Sequence, residues 1–367
     1  MAKQKLVRNQ HVVSKFYLKG FANQASMLLR IVLPGEKSHL TPVRKATVIR
    51  DFYTVPLADG QPSDFIEVGF SVIEDPAAPI LERIVSQGYW PLEPADKQIL
   101  ALWITLQYFR GESYRALETE TEALLIGRLV EASGRDALRY HIENAEGRTV
   151  SSEQLDFEWT ELTKPGGPTL RPDTREHMGI LAERLLPTAA VFARKEWKLV
   201  EFKRKPLFTG DHPVSLVSGA DHPGNVRFGL ATALGVILPL SRYQALSIRL
   251  GGPPTGEDSM LPGTAKLASF INNRTIRNSR KSLYFHPDDT SAVEGHDLQG
   301  PKEREWSPAE GRQFIDDMGW FSDAGERAKK GLPAALVHAN GDVVSLSDIA
   351  WPIVRRVNKW HHAIEDA

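Results

Sequence analysis

"PADKQILALWITLQYFRGESYRALETETEALLIGRLVEASG", residues 94–134, is the stretch on which the fold turns. Its apolar residues recur at helical spacing, with Leu100, Trp103, Ile104, Gln107 and Phe109 to Arg110 on interior turns, so it predicts the strongest helical region of the chain. Before it, "FIEVGFSVIEDPAAPILERIVSQG" (65–88) predicts one or two helices broken near Pro76 and Pro79, because proline lacks the N–H and crowds the turn before it. After it, a polar interval from Glu143 to Gly167, with room for a short helix, leads into the loop "KPGGP", and "PDTREHMGILAERLLPTAAVFARK" (172–195) returns to helix.

Strand-like runs lie on both sides of these helices. "SMLLRIVLP" (26–34) has the length of a buried strand, and "HLTPVRKATVIRDFYTVPL" (39–57) continues in extended style with Pro42 at an edge. "EWKLVEFKRKPLFTGDHPVSLVSG" (196–219), "GVILPLS" (235–241) and "YQALSIRL" (243–250) predict a sheet interrupted by turns, and "GTAKLASFINNRTIRNSRKSLYF" (263–285) a helix running into a short strand. Asn340-Gly341 between two apolar runs signals a hairpin, ahead of a terminal helix carrying Trp351 and Trp360. Helices gathered in the middle with strands around them predict an α+β protein with a mixed or antiparallel sheet, not the regular alternation of a doubly wound fold. The expected division is a main domain over 1–290, with a helical insertion at about 63–194, and a hairpin-helix extension over 291–367.

Composition narrows the function. A hydrophobic content of 41% is that of a globular chain, and 45 basic against 46 acidic residues leave no global attraction for polyanions. Any nucleic-acid contact is therefore a local patch. The absence of cysteine removes thiolate metal sites, disulfides and a cysteine nucleophile, and fits a reducing cytoplasm. The N-terminus has no apolar signal core and no stretch approaches eighteen apolar residues, so neither secretion nor a membrane partner is expected. P-loop, dinucleotide-fingerprint, serine-elbow and zincin motifs are missing.

"NQHVVSKFYLKGFAN" (9–23) places Gln10 and His11 before a run of aromatics, and residues 12–22 predict a short amphipathic helix that the pair enters. The segment "QHVVSKFYLKGF" (10–21) resembles the N-terminal signature of a bacterial family of unknown function, which carries proline where Ser14 stands here. The resemblance continues at "DFYTVP" (51–56), "ITLQYFRG" (104–111), "LFTGDHPVSL" (207–216), "VILPLS" (236–241) and "FINNRTI" (270–276), with Gly210 in place of the usual serine and His212 of the usual asparagine. It implies positions without a mechanism.

Those positions combine residue types that packing does not require. One arrangement brings them to a single cleft, with His11 as general acid or base, Asp211 as its orienter or a metal ligand, and Arg110 as an anion clamp. Gln10, Gln107, Asn272 and Arg274 would then hold the substrate. Each has a structural alternative: His11 satisfying a carbonyl, Arg110 tying helices through Glu74 or Glu82, Asp211 closing a turn, and Asn272 on a helix surface. Glu67 and Glu74, seven apart, would share a helix face and could bind a divalent cation or share a proton. Glu196-x-Lys198 and Glu201-x-Lys203 match half of a metal-dependent nuclease core, and Arg135 to His141 matches a helical-ribonuclease spacing that two other sites also match. Arg274, Arg277 and Lys281 form a basic stripe at helical spacing. The expectation is a hydrolase or nuclease-like protein acting on a phosphate-containing substrate, RNA or DNA among the candidates, with a divalent metal as candidate cofactor. The alternative is a non-catalytic protein that binds nucleic acid or another protein.

Overall fold

A computed structural model describes residues 6–57, 59–218, 229–230, 232–252 and 256–298, with isolated residues and two short strands between 307 and 345. The chain opens with β1 (Asn9–His11), α1 (Lys15–Leu18) and a 3-10 turn at Lys19–Phe21. Next come β2 (Met27–Val32), β3 (Lys37–Pro42), a 3-10 turn at Val43–Lys45, β4 (Val48–Arg50), β5 (Val55–Pro56) and β6 (Pro62–Ser63). The helical middle holds α2 (Phe65–Gln87), α3 (Pro94–Phe109), α4 (Glu112–Ser133), α5 (Arg135–Glu146), α6 (Ser152–Thr163) and α7 (Thr174–Arg194). Then follow β7 (Trp197–Glu201), β8 (Thr209–Gly210), β9 (Ser215–Val217), β10 (Gly235–Ser241), β11 (Gln244–Arg249), β12 (Ser259–Pro262), α8 (Ala265–Asn278) and β13 (Ser282–Phe285), with β14 (Ala335–Val337) and β15 (Val343–Ser345) last. This is an α+β protein. Among the described residues no helix is long and apolar enough to cross a membrane.

Two compact units divide the chain, Met1–Arg115 with Asp173–Lys302, and Ala116–Pro172 with Glu303–Ala367. In the first, a five-stranded sheet runs β12-β7-β11-β10-β9, antiparallel except for β12 on β7, and a four-stranded sheet runs β3-β2-β13-β8. β10 is buried at every position, which its unbroken apolar run anticipates. Helix α8 joins the two sheets. Its buried stripe Ala268, Ile271, Asn272, Thr275 and Ile276 follows helical periodicity. Ala268 and Ile271 pack with Val200, Phe202, Leu207 and Ile237 of the larger sheet region, while Ile276 packs with Ile31, Phe208, Leu283 and Phe285 of the smaller. Helix α3 is buried between α2 and α7. In the second unit α5 packs on α6, and the Arg139 guanidinium donates to the Val150 carbonyl at 2.7 Å. The strands flanking the expected hairpin pair antiparallel, Ala335 opposite Ser345, whereas Asn340-Gly341 and the expected helix with Trp351 and Trp360 lie outside the described residues.

Two local expectations need correction. The helix expected over 12–22 is shorter, and Gln10-His11 sits on a strand, paired with Ile49 and Val48 of β4. Helix α2 passes through Pro76 and Pro79 unbroken. Both prolines and residues 72 and 75, whose carbonyls lose their donors, are on the solvent side, where water replaces the missing bonds. The short helix for which the polar interval after Glu143 has room is α6 over Ser152–Thr163, begun by Ser151, whose hydroxyl accepts from the Gln154 N–H at 3.1 Å.

Candidate functional site

The aromatic turn after His11 fixes where the site lies. Tyr17 is fully buried and its hydroxyl donates to the Pro239 carbonyl at 2.8 Å and contacts Thr209 Oγ1 at 2.7 Å, tying the segment to β10 and β8. Phe16 and Tyr17 lie 5.3 and 5.7 Å from the Trp103 ring on α3. Gly20 comes so close to β10 that a Cβ there would stand 2.6 Å from the Leu240 carbonyl oxygen. These contacts hold β1 and α1 over the α2–α3 pair.

Gln10 is fully buried and saturated. Its Nε2 donates to the Val7 carbonyl at 3.0 Å and Thr54 Oγ1 at 3.1 Å, and its Oε1 accepts the Tyr53 N–H at 2.5 Å. It clasps two chain segments and has no capacity aimed at a substrate. His11, next along the strand, is half-buried. Its backbone N–H donates to Glu67 Oε1 at 3.4 Å. Its ring Nε2 is buried without a partner. Burial first, then the nearby Lys15 charge, lowers the His11 pKa to about 4.

Beneath His11 lies a buried network centred on Ser14, Glu74 and Arg110. The Ser14 hydroxyl donates to Glu74 Oε1 at 2.5 Å and accepts from Trp103 Nε1 at 2.9 Å and Arg110 Nη2 at 3.3 Å, while its N–H donates to Gln107 Oε1 at 3.2 Å. Proline, which the resembling pattern carries at this position, would supply neither group. Arg110 caps the end of α3 and gives Nε to the Val12 carbonyl at 3.1 Å and Nη1 to Glu74 at 2.9 Å. Its guanidinium is thus taken up by α2 and the N-terminal segment, so Arg110 positions the site instead of gripping a free anion. Glu67, on the same helix face as Glu74, keeps Oε2 buried without a partner, and burial raises its pKa. Gln107 Nε2, also buried, is unpartnered as well.

Asp211 and Asn272 organise a different place. The Asp211 carboxylate accepts three backbone N–H groups, Arg280 at 2.9 Å, Lys281 at 2.7 Å and Ser282 at 3.1 Å, closing the turn between α8 and β13. Burial raises its pKa and these amides oppose the rise. Asn272 holds the Pro206 carbonyl at 3.1 Å and the Phe208 N–H at 3.4 Å. Among the described residues neither His11 nor Arg110 shares a hydrogen bond or ion pair with Asp211. Gly210, in place of the pattern's serine, is explained locally: a Cβ there would fall 1.8 Å from Ser279 Oγ. The His212 ring is buried beside Tyr108 with Nδ1 unpartnered, and burial, then Arg280, lowers its pKa to about 4.

The remaining motifs separate. Lys198 pairs with Glu196 at 3.1 Å, and Glu201 accepts from Gln244 at 3.1 Å. Arg135 pairs with Asp156. Lys281 lies past the end of α8 and pairs with Glu112 at 2.6 Å, leaving Arg274 and Arg277 as the stripe. Among the described residues no group of three or more His, Asp or Glu side chains could hold a metal ion. The sequence reading missed Ser14 and the exposed cation Lys15 near His11, though the departure from proline at Ser14 was a usable signal.

Fold and site together define an α+β protein with a buried polar network under its N-terminal strand. The chain belongs to the family described as protein of unknown function DUF4238, whose model matches residues 9–289. No curated protein and no solved structure matches it.

Proposed function

We propose that the chain is a hydrolase of phosphate esters that works at the His11–Glu67 edge of this network. The observation that carries the reading is the trio of buried atoms without partners, His11 Nε2, Glu67 Oε2 and Gln107 Nε2, with the exposed Lys15 cation close to His11 and Glu67. Each unpartnered buried group costs about 1–3 kcal/mol, a cost that a bound polar ligand would offset. Lys15 has no ion-pair partner among the described residues, so it favours an anionic substrate.

In this reading the Nε2 lone pair of His11 takes a proton from the attacking water, whose oxygen bonds to phosphorus. As the bond to the leaving oxygen breaks, protonated Glu67 supplies that oxygen with its proton. Gln107 Nε2 donates to a non-bridging phosphate oxygen, and Arg110 holds Ser14 and Glu74 in place. His11 must be neutral, which it is above about 4, and Glu67 must be protonated, so the rate falls as pH rises through its raised pKa. The test is a pH–rate profile with bis(p-nitrophenyl) phosphate and labelled RNA and DNA oligonucleotides. A bell is expected, rising through about 4 and falling at the raised Glu67 pKa, with His11→Ala and Glu67→Gln each lowering kcat by about 10²–10⁴. Turnover no greater than that of His11→Ala across the profile would refute the reading.

A further inference from the structure

We infer that the outward face of α8, with the turn that follows β7, is a binding track for a single-stranded nucleic acid. The helix is divided cleanly: Ala268, Ile271, Asn272, Thr275 and Ile276 face the core, and Lys266, Phe270, Arg274 and Arg277 fall on the opposite side at helical spacing. Lys203 and Arg204 project from the adjoining turn, which is held against α8 by two contacts. Lys205 Nζ donates to Ser269 Oγ at 2.7 Å, and Asn272 Nδ2 donates to the Pro206 carbonyl.

Five cations, Lys203, Arg204, Lys266, Arg274 and Arg277, thus share one surface, and none has an ion-pair partner among the described residues. The chain as a whole is balanced at a formal net charge of −1, so this concentration is local and not a by-product of composition. The chemistry is more specific than charge. Phe270 is 39% exposed, and the Arg274 guanidinium carbon stands 5.4 Å from its ring centroid. An exposed ring with an arginine beside it offers a base a π-face and a guanidinium plane while the other cations meet phosphates, the combination that single strands use. An anionic membrane would use the charge but leave the ring-over-arginine pair without a role. The inference is independent of catalysis at His11.

The test is fluorescence anisotropy of the full chain with labelled 12-nucleotide oligouridylate and oligothymidylate. If each of the five cations neutralises a phosphate, affinity falls about a hundredfold between 50 and 200 mM salt. Arg274→Glu/Arg277→Glu and, separately, Lys203→Glu/Arg204→Glu are expected to weaken binding at least about tenfold each and to flatten the salt dependence. Phe270→Ala is expected to cost about tenfold while leaving the salt slope unchanged, since stacking releases no counterions. Lys19→Glu/Lys37→Glu makes the same change in net charge on exposed residues elsewhere and is expected to leave affinity within about twofold. Equal loss in that control, absence of binding to either oligonucleotide, or binding to phosphatidylserine vesicles alone would each overturn the inference.

Discussion

Replacing Glu74 by alanine tests the network at its charged centre. The substitution leaves the Arg110 guanidinium, 1% exposed, without the carboxylate that Nη1 meets at 2.9 Å, and takes from the Ser14 hydroxyl the acceptor of its proton. Removing one partner of a buried ion pair costs about 3–5 kcal/mol, because the remaining charge stays desolvated. The Glu74 side chain is 25% exposed, so water can reach the vacated side, and the expected loss is at the lower end, about 3 kcal/mol. For a unit of this size 1 kcal/mol shifts the melting midpoint by about 2–4 °C, giving a drop of about 6–12 °C by tryptophan fluorescence. Glu82→Ala, an exposed glutamate on the same helix, is expected to stay within about 0.5 kcal/mol of the parent. Arg110→Met combined with Glu74→Leu is expected to melt above Glu74→Ala, since no charge is left stranded. A midpoint for Glu74→Ala equal to that of Glu82→Ala would show that water already satisfies Arg110 and that the network is not held by this pair.

At Ser14 the backbone φ of −57° suits proline, so Ser14→Pro is expected to fold and to cost about 2–3 kcal/mol, through the lost hydroxyl and the lost N–H to Gln107. Ser14→Ala, which keeps the N–H, is expected to cost about 1 kcal/mol less, and equal melting of the two would refute this division. His212 stays neutral in the fold down to about 4 while an unfolded histidine takes up its proton near 6.5, so the unfolded state binds more protons in that window. Stability is therefore lost as pH falls from 6.5 to 4, by about 2–3 kcal/mol from this residue, and His212→Asn is expected to flatten the fall in urea titrations. An unchanged slope would locate the titration elsewhere. Gly210→Ala drives a methyl into Ser279 Oγ and is expected to cost about 1–3 kcal/mol, with part of the loss recovered on adding Ser279→Ala. No recovery would mean that the backbone, not Ser279, is what the glycine serves.

Periodicity carries burial, so the elements with a strong burial pattern were legible. Helix α3, the wholly buried β10 and the antiparallel pairing of β14 with β15 stand where their residues indicate. What periodicity does not carry is the environment of a break or a polar group. Pro76 and Pro79 read as helix ends, yet their exposure lets water complete the backbone of α2. The residues 12–22 repeat apolar groups at helical spacing, but Gly20 had to approach the Leu240 carbonyl and the helix stops at Leu18, giving way to a 3-10 turn.

The sequence by itself determined the α+β class, the chemical types gathered in the family's motifs, the balanced charge, and the basic stripe of α8. Tertiary structure decided which of those polar groups meet. Gln10, Arg110, Asp211 and Asn272 all read alike as polar residues in apolar surroundings, but hydrogen-bond capacity is spent only when partners arrive from distant segments. Tyr53 and Thr54 reach Gln10, Glu74 reaches Arg110, and the amides of 280–282 reach Asp211. Around Ser14, by contrast, His11, Glu67 and Gln107 keep unspent atoms, as His212 does elsewhere, and that distinction is set by three-dimensional pairing, which no single stretch of sequence encodes.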